Sequence, residues 1–385
     1  MNHDNSDVIL FAENRGKTIV KTSVIGILTN VVLAAFKAVL ALFVNSIALL
    51  LDAVNNLSDA LSSVVTIIGE KFASKTPDKK HPMGYGRIEY LSSMIIAGLV
   101  LYAGITSLVE SIKKIINPSE ASYTTVSIVV IGVAVVIKFI LGKYVKRQGE
   151  KVNSTALIAS GADSLFDSIL SLSVFLSALV FMKWGISLEA YVGVVISIIM
   201  IKAGIEMMIT TVDDLIGHRA DKNLTSKVKE VLSTEEDVLG VYDLALFNYG
   251  PNKYYASAHV ELKDTMNVRE VDKITRRLQY KLYKETGIVL IALGVYSFNT
   301  ENEKANKIRE NVEKTVMSHD WALQVHGFYL DTKKKILRFD VVLSFEVDRK
   351  ESLDKIKAEI ESLYPDYQVQ IVPDLDLWDS FKEIM

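Results

Sequence analysis

Two short runs of this chain carry residue types that could do chemistry. Asp52, Asn55, Asn56 and Asp59 stand at i, i+3, i+4 and i+7, the spacing of one helical face. Asp163 and Asp167 stand at i and i+4, also one face. Both runs lie inside apolar segments long enough to cross a membrane. A carboxylate there costs roughly 2.5–3.5 kcal/mol at the bilayer centre, so it reads as functional by default. Asn55 and Asp59 on one helix, set against Asp163 and Asp167 on another, offer four oxygen ligands, and a divalent cation is their natural occupant. Asp52 and Asn56 are expected to support these ligands from neighbouring positions. The plainer reading is polar glue between helices, which suits Asn56 and Ser164. For the aspartates it would need a basic partner, and none lies at matching depth in the same two segments. Lys37 and Lys202, in other apolar segments, are the expected challengers.

The elements that must position these residues are membrane spans. Half of the 385 residues are hydrophobic, yet 23% are charged, and mean hydropathy is only +0.26. Those averages conceal two unlike halves. Length and polarity predict six spans, near 20–44, 47–70, 89–112, 123–142, 155–182 and 187–212. The expected division is a cytoplasmic N-terminal segment (1–19), a six-span transmembrane domain (20–215), an α+β domain (216–299) and a second α+β repeat (300–385). Twelve Lys and Arg flank the spans on one side, among them Arg15, Lys79 and Arg147, against three (Lys113, Lys114, Lys183) on the other. The positive-inside rule makes the twelve-charge side cytoplasmic, together with both termini. The expected location is a bacterial cell membrane, multi-pass. A net charge of −3 gives no sign of a nucleic-acid partner, and the absence of cysteine removes disulfides and thiolate metal sites.

In the charged half, a helix near 222–235 precedes strands near 239–247 and 253–263, a helix near 267–286 and a strand near 288–297. A second series follows: helix 301–318, strands 322–331 and 335–346, helix 349–363, strand 367–373. The strands alternate, as in Tyr255–Leu262 and Leu337–Leu343. Two αββαβ units fit the length. The fold class expected is a six-helix transmembrane bundle plus a cytoplasmic α+β domain that looks duplicated.

The chain resembles the cation diffusion facilitator, or cation efflux, family over nearly all of residues 10–300. The resemblance rests on the six spans, on Leu51–Asp59, on Asp78-Lys-Lys-His-Pro-Met-Gly-Tyr-Gly-Arg-Ile-Glu89 after the second span, and on the cytoplasmic α+β domain. It implies a tetrahedral site between spans two and five, exchange of metal for protons, a metallochaperone-like soluble domain, and a homodimer in the lipid bilayer. The chain departs from the family's zinc-type pattern. Asn55 takes the first ligand position on span two. If Asp163 is the span-five carboxylate, Ala159 stands where a histidine is usual and Asp167 is an added acid; otherwise Asp163 and Asp167 form the pair, one turn shifted. Distance from the basic loop favours the first register. Neither register includes a histidine.

Oxygen ligands suit harder ions, and the set resembles the family's manganese-exporting branch. The expected activity is therefore Mn²⁺ export coupled to protons, with the metal as cargo and no resident cofactor. Three carboxylates in a low-dielectric cleft cannot all stay ionised without a cation, so protons can replace the departing metal. Export of Zn²⁺, Fe²⁺ or Co²⁺ is the alternative within the family, and a membrane-anchored metal sensor the alternative outside it. A channel is disfavoured by the lack of a filter-like loop. No nucleophile–base pair or phosphate-binding glycine loop marks an enzyme.

Further residues carry weaker signals. His81 follows Asp78, but Tyr85 stands where a second histidine would be needed, so His81 is read as structural. Tyr242 occupies a place where zinc-type relatives have a histidine, while His259 remains and His326 falls opposite Tyr242. Asp243, His259 and His326 are candidates for a regulatory metal site. Arg87 is expected to interlock with Asp213 or Asp214. The acidic run Val372–Asp379 reads as a docking tail.

Overall fold

The structure is a computed structural model. It describes residues 5–44, 47–117, 125–184 and 189–377. Within α2 the side chains of Asp52 and Asn55 lie outside the described residues.

Among the described residues, six long helices come first: α1 (Asn5–Val44), α2 (Ile47–Ala73), α3 (Ile88–Ile116), α4 (Thr125–Val152), α5 (Thr155–Trp184) and α6 (Glu189–Ile216). Among the described residues, five stretches are long and apolar enough to cross a membrane: Asn14–Leu40, Ile88–Ile116, Ile128–Val152, Thr155–Ser177 and Ala190–Ile216. These helices carry apolar side chains outward, such as Val32, Leu42, Ile140 and Ile199, and polar ones inward, such as Asn30, Lys37, Lys138 and Ser197. That inverts the usual soluble arrangement and suits a lipid solvent, in which polar groups must find partners inside the bundle.

Glycine sets how closely α4 and α5 approach. A Cβ on Gly142 would stand 2.9 Å from the Leu165 backbone nitrogen, and one on Gly161 only 2.5 Å from that of Lys146. Gly149 likewise faces the Ile158 nitrogen. Small residues at such contacts let backbones meet in lipid, where no hydrophobic force drives helices together.

The ends of the bundle are tied by charge. Arg15 on α1 donates to Glu89 at 2.6 Å and to Glu70 at 3.3 Å, and its Nε donates to the Val152 carbonyl at 2.9 Å. Glu89 is buried. The last residue of the family-like string after span two is thus one half of an internal ion pair that joins α1, α2 and α3.

The following elements are short and amphipathic: α7 (Lys222–Leu232), β1 (Gly240–Asn248), β2 (Tyr254–Lys263), α8 (Val268–Thr286), β3 (Val289–Phe298), α9 (Glu303–Val316), β4 (Ala322–Asp331), β5 (Ile336–Leu343), α10 (Arg349–Leu363) and β6 (Gln368–Leu375). Local chemistry sets their limits. Asn267 and Glu270 form a capping box at the start of α8, and Gly287 ends that helix at φ 72°. Asp221 and Asp348 cap α7 and α10.

Two three-stranded sheets result, ordered β1-β2-β3 and β4-β5-β6. The last strand of each runs parallel to the middle one, after a helical crossover. Each sheet buries its own core. Val228, Leu244, Val260, Leu278 and Leu282 lie in the first, Val312, Phe339, Val341, Ile356 and Ile360 in the second. The chain divides into two compact units, Met1–Gly217 with Asn248–Lys253, and His218–Phe247 with Tyr254–Met385.

Candidate metal centre

The acids predicted from helical spacing come from the helices expected, but they have company that the sequence reading did not foresee. Asp59 projects from α2, and Asp163 and Asp167 from α5. The Lys138 ammonium, from α4, lies 2.7 Å from Asp59 Oδ2 and also pairs with Asp167 Oδ2. Lys138 is 3% exposed. The base comes from a third helix, as the challengers were expected to, but it is neither Lys37 nor Lys202. Lys202, an expected challenger, points outward and pairs with Glu206 one turn on, at 3.7 Å. Lys37 is buried and its charge acts on Asp167. Asp163 lies within electrostatic reach of Asp59, Asp167 and Lys138.

Asn56 is fully buried, and neither its amide nitrogen nor its oxygen has a hydrogen-bond partner. A buried amide with both ends unsatisfied calls for a reason, and a polar ligand or water beside the acids is one. The predicted ligand Asn55 and the predicted support Asp52 fall outside the described side chains. What the described residues make is a buried, anionic constellation with an internal ammonium as counter-ion.

The loop after α2 is held by a chain of hydrogen bonds. The Tyr85 hydroxyl donates to Asp78 Oδ2 at 2.6 Å and lies within hydrogen-bond distance of His81 Nδ1, at 2.8 Å. The backbone N–H groups of Lys80 and His81 donate to Asp78 Oδ1. These bonds, led by that from Tyr85, hold the Asp78 carboxyl down at about 2. Arg87 has a partner within the chain. Its guanidinium donates twice to the Asn248 carbonyl, at 2.7 and 3.1 Å, and lies over the Tyr249 ring. This partner is a strand-end carbonyl.

A second constellation lies wholly in the second compact unit. Asp243 on β1 faces His259 on β2 (Oδ2 to Nδ1, 2.8 Å) and His326 on β4 (Oδ1 to Nε2, 2.7 Å). The Tyr296 hydroxyl, from β3, sits 2.5 Å from Asp243 Oδ2 and 2.9 Å from Asp340 Oδ2 on β5. The Tyr242 ring stacks on His326 at 5.2 Å, and the Tyr296 ring on His259 at 4.6 Å. Asp374 on β6 stands 3.7 Å from His326. The sequence reading named Asp243, His259 and His326 but missed Asp340 and Asp374, which lie on separate strands and share no local spacing with them. Burial opposes ionisation of Asp243, yet the facing imidazoles of His259 and His326 and the bond from Tyr296 hold its carboxyl well below the usual range. Burial, and then the neighbouring Asp243 carboxylate, push Asp374 up to about 6.

A helical bundle with apolar side chains outward, enclosing acids and a buried lysine, is the arrangement of an integral membrane protein. Residues 23–216 match the cation efflux transmembrane domain, half of the chain, and residues 220–292 match the cytoplasmic domain of cation efflux proteins. The chain belongs to the cation efflux (cation diffusion facilitator) family, and is a divalent cation efflux transporter, not an enzyme. It is 28% identical to the uncharacterized transporter MJ0449 of Methanocaldococcus jannaschii, over 69% of this chain and 94% of that protein. It is 24% identical to the manganese efflux system protein MneP of Bacillus subtilis, over 71% of this chain and 94% of the relative. It is also 24% identical to the cation-efflux pump FieF of Shewanella oneidensis, over 56% and 72% respectively.

Proposed function

We propose that this protein exports Mn²⁺ from the cytoplasm in exchange for protons, working as a homodimer of six-span chains with both termini cytoplasmic. The observation that carries the reading is the meeting of Asp59 from α2 with Asp167 from α5, beside Asp163, in a buried site whose described side chains include no histidine. All-oxygen ligation suits a hard divalent ion better than zinc. The likeness to a manganese efflux protein supports the same choice.

In this reading α2 is the sixth span. Its hydropathy is lowered by the acids and amides it carries for the site. Asn55 joins Asp59, Asp163 and Asp167 as ligands, with Asp52 and Asn56 in support. The soluble unit consists of two copies of one αββαβ module, and contributes to dimer contact.

The cargo must displace Lys138 to reach Asp59 and Asp167. A divalent ion competes with the ammonium because it neutralises two carboxylates at once. On release, Lys138 returns and neutralises part of the vacated charge, and protons serve the rest. The resting carrier is thereby spared an uncompensated buried charge, which is strongly unfavourable.

Uptake of Mn²⁺ and of Zn²⁺ into proteoliposomes under an imposed pH gradient tests this, for wild type and for Asp163→Ala. The expected result is Mn²⁺ flux that tracks the gradient and is lost in the variant. Zn²⁺ flux without Mn²⁺ flux would overturn the metal assignment. Flux indifferent to the gradient would overturn the proton coupling.

A further inference from the structure

We infer that the soluble unit holds a divalent transition-metal cation between its two modules within a single chain, ligated by Asp243 of the first module and by His326 and Asp340 of the second. The ligand atoms of these three residues all lie within 4.8 Å of one another. Two ligands on one ion stand at most about 4.2 Å apart, twice a bond of about 2.1 Å, so only a small contraction is needed.

Proximity alone would leave an acidic cluster. The state of His326 points to a ligand. Its side chain is 1% exposed, and neither ring nitrogen forms a hydrogen bond. Nε2 comes within 2.7 Å of Asp243 Oδ1 without bonding to it, and Asp243 Oδ1 and Asp340 Oδ1 are buried without hydrogen-bond partners as well. A buried imidazole with both nitrogens unsatisfied, facing two unsatisfied carboxylate oxygens, is an arrangement that a cation completes. The second oxygen of each carboxylate lies against the one Tyr296 hydroxyl, whose single proton serves one of them at a time and positions it as outer partners position metal ligands.

The backbone is shaped to this cluster. Asp243 sits at φ 51°, a conformation that costs energy for a residue with a Cβ and that persists where something else fixes it. Gly327, beside His326, has φ 62°, and a Cβ there would meet Asp340 Oδ2 at 3.0 Å. His326 and Asp340 are direct partners across β4 and β5, so one strand pair presents both. The other charged groups in view are Asp374, 3.7 Å from His326, His259 against the far oxygen of Asp243, and Arg338, whose Nε is 3.9 Å from Asp340 Oδ1. Two carboxylates and one imidazole suit Mn²⁺, Fe²⁺ or Zn²⁺.

The match to the family's cytoplasmic domain ends at residue 292, before either second-module ligand. Residues beyond that limit therefore complete the site in cis, and metal binding by the soluble unit needs no second chain. This rests on the transport reading only for the class of cation.

Pulsed electron paramagnetic resonance of Mn²⁺ bound to the full-length, untagged protein in detergent tests the assignment, because the proposed span site contains no histidine. The expected result is nitrogen modulation from an imidazole in wild type and in Asp163→Ala, lost in His326→Gln. Equilibrium dialysis should show bound Mn²⁺ falling by about one ion per chain in Asp340→Asn, a variant of unchanged shape that covers failure of His326→Gln to fold. Absence of nitrogen modulation in wild type, its persistence in His326→Gln, or an unchanged metal count in Asp340→Asn would each overturn the inference. If Mn²⁺ transport itself failed while the nitrogen signal stood, the fault would lie with the span site alone.

Discussion

Lys138 on α4 and Asp59 on α2 form an ion pair of 2.7 Å inside the bundle, and the same ammonium reaches Asp167 on α5. Three helices are thus coupled through one side chain. Any change in how α4 sits on α5 must alter the charge that the acids see.

Lys138→Met removes the internal counter-ion while keeping an unbranched side chain. The competitor for Asp59 and Asp167 is then gone, so Mn²⁺ should bind more tightly, by about tenfold or about 1.4 kcal/mol. Turnover should fall, because release leaves the acids without a counter-charge. Calorimetric titration and proteoliposome flux read the two effects separately. Weaker binding in the variant would mean that Lys138 arranges the acids instead of competing for them.

The α4–α5 contact gives a second handle. Gly142→Val places methyl groups where a Cβ alone would lie 2.9 Å from the Leu165 nitrogen. The helices must separate, taking Lys138 away from Asp167. Transport should be lost although no charged residue is changed, and folded protein should still be recovered in detergent. The same substitution at Gly98, whose Cβ would meet nothing within 4 Å, should leave transport near wild type.

Arg15, Glu70 and Glu89 supply a test of stability. Removing one partner of a buried ion pair costs about 3–5 kcal/mol, because the other charge is left uncompensated. Arg15→Ala should therefore lower the detergent melting temperature strongly. Adding Glu89→Gln should recover part of the loss, since the orphaned carboxylate goes with it. Additive losses across the double-mutant cycle would show that the two residues do not act as a pair.

Asp78 offers a pH test outside the membrane. Its carboxyl is depressed from the ordinary 3.8 to about 2, first by the bond from Tyr85. A depressed acid stabilises the folded loop above its unfolded value and loses that contribution as pH falls through the folded one, here from about 4 towards 2. In Tyr85→Phe the Asp78 titration, followed by carboxyl carbon resonances, should move back towards the ordinary value. An unmoved titration would assign the depression to the backbone N–H groups alone.

Much of this protein is determined by its sequence alone. Apolar length and the distribution of Lys and Arg mark where the chain meets lipid. The i, i+4 and i, i+7 spacing of Asp52, Asn55, Asn56, Asp59, Asp163 and Asp167 marks which faces carry acid, and strand alternation with helix caps marks the soluble elements to within a few residues of their ends. These signals are local, because a helix or strand sets the direction of its side chains within a turn or two. Only the tertiary structure decided which faces meet. Lys138 lies 79 residues from Asp59, and Arg15 lies 74 from Glu89. Arg87 finds the Asn248 carbonyl 161 residues away, and Asp340 joins Asp243 through Tyr296. No spacing rule reaches across such distances, since the partner of a buried charge is chosen by helix packing and strand register.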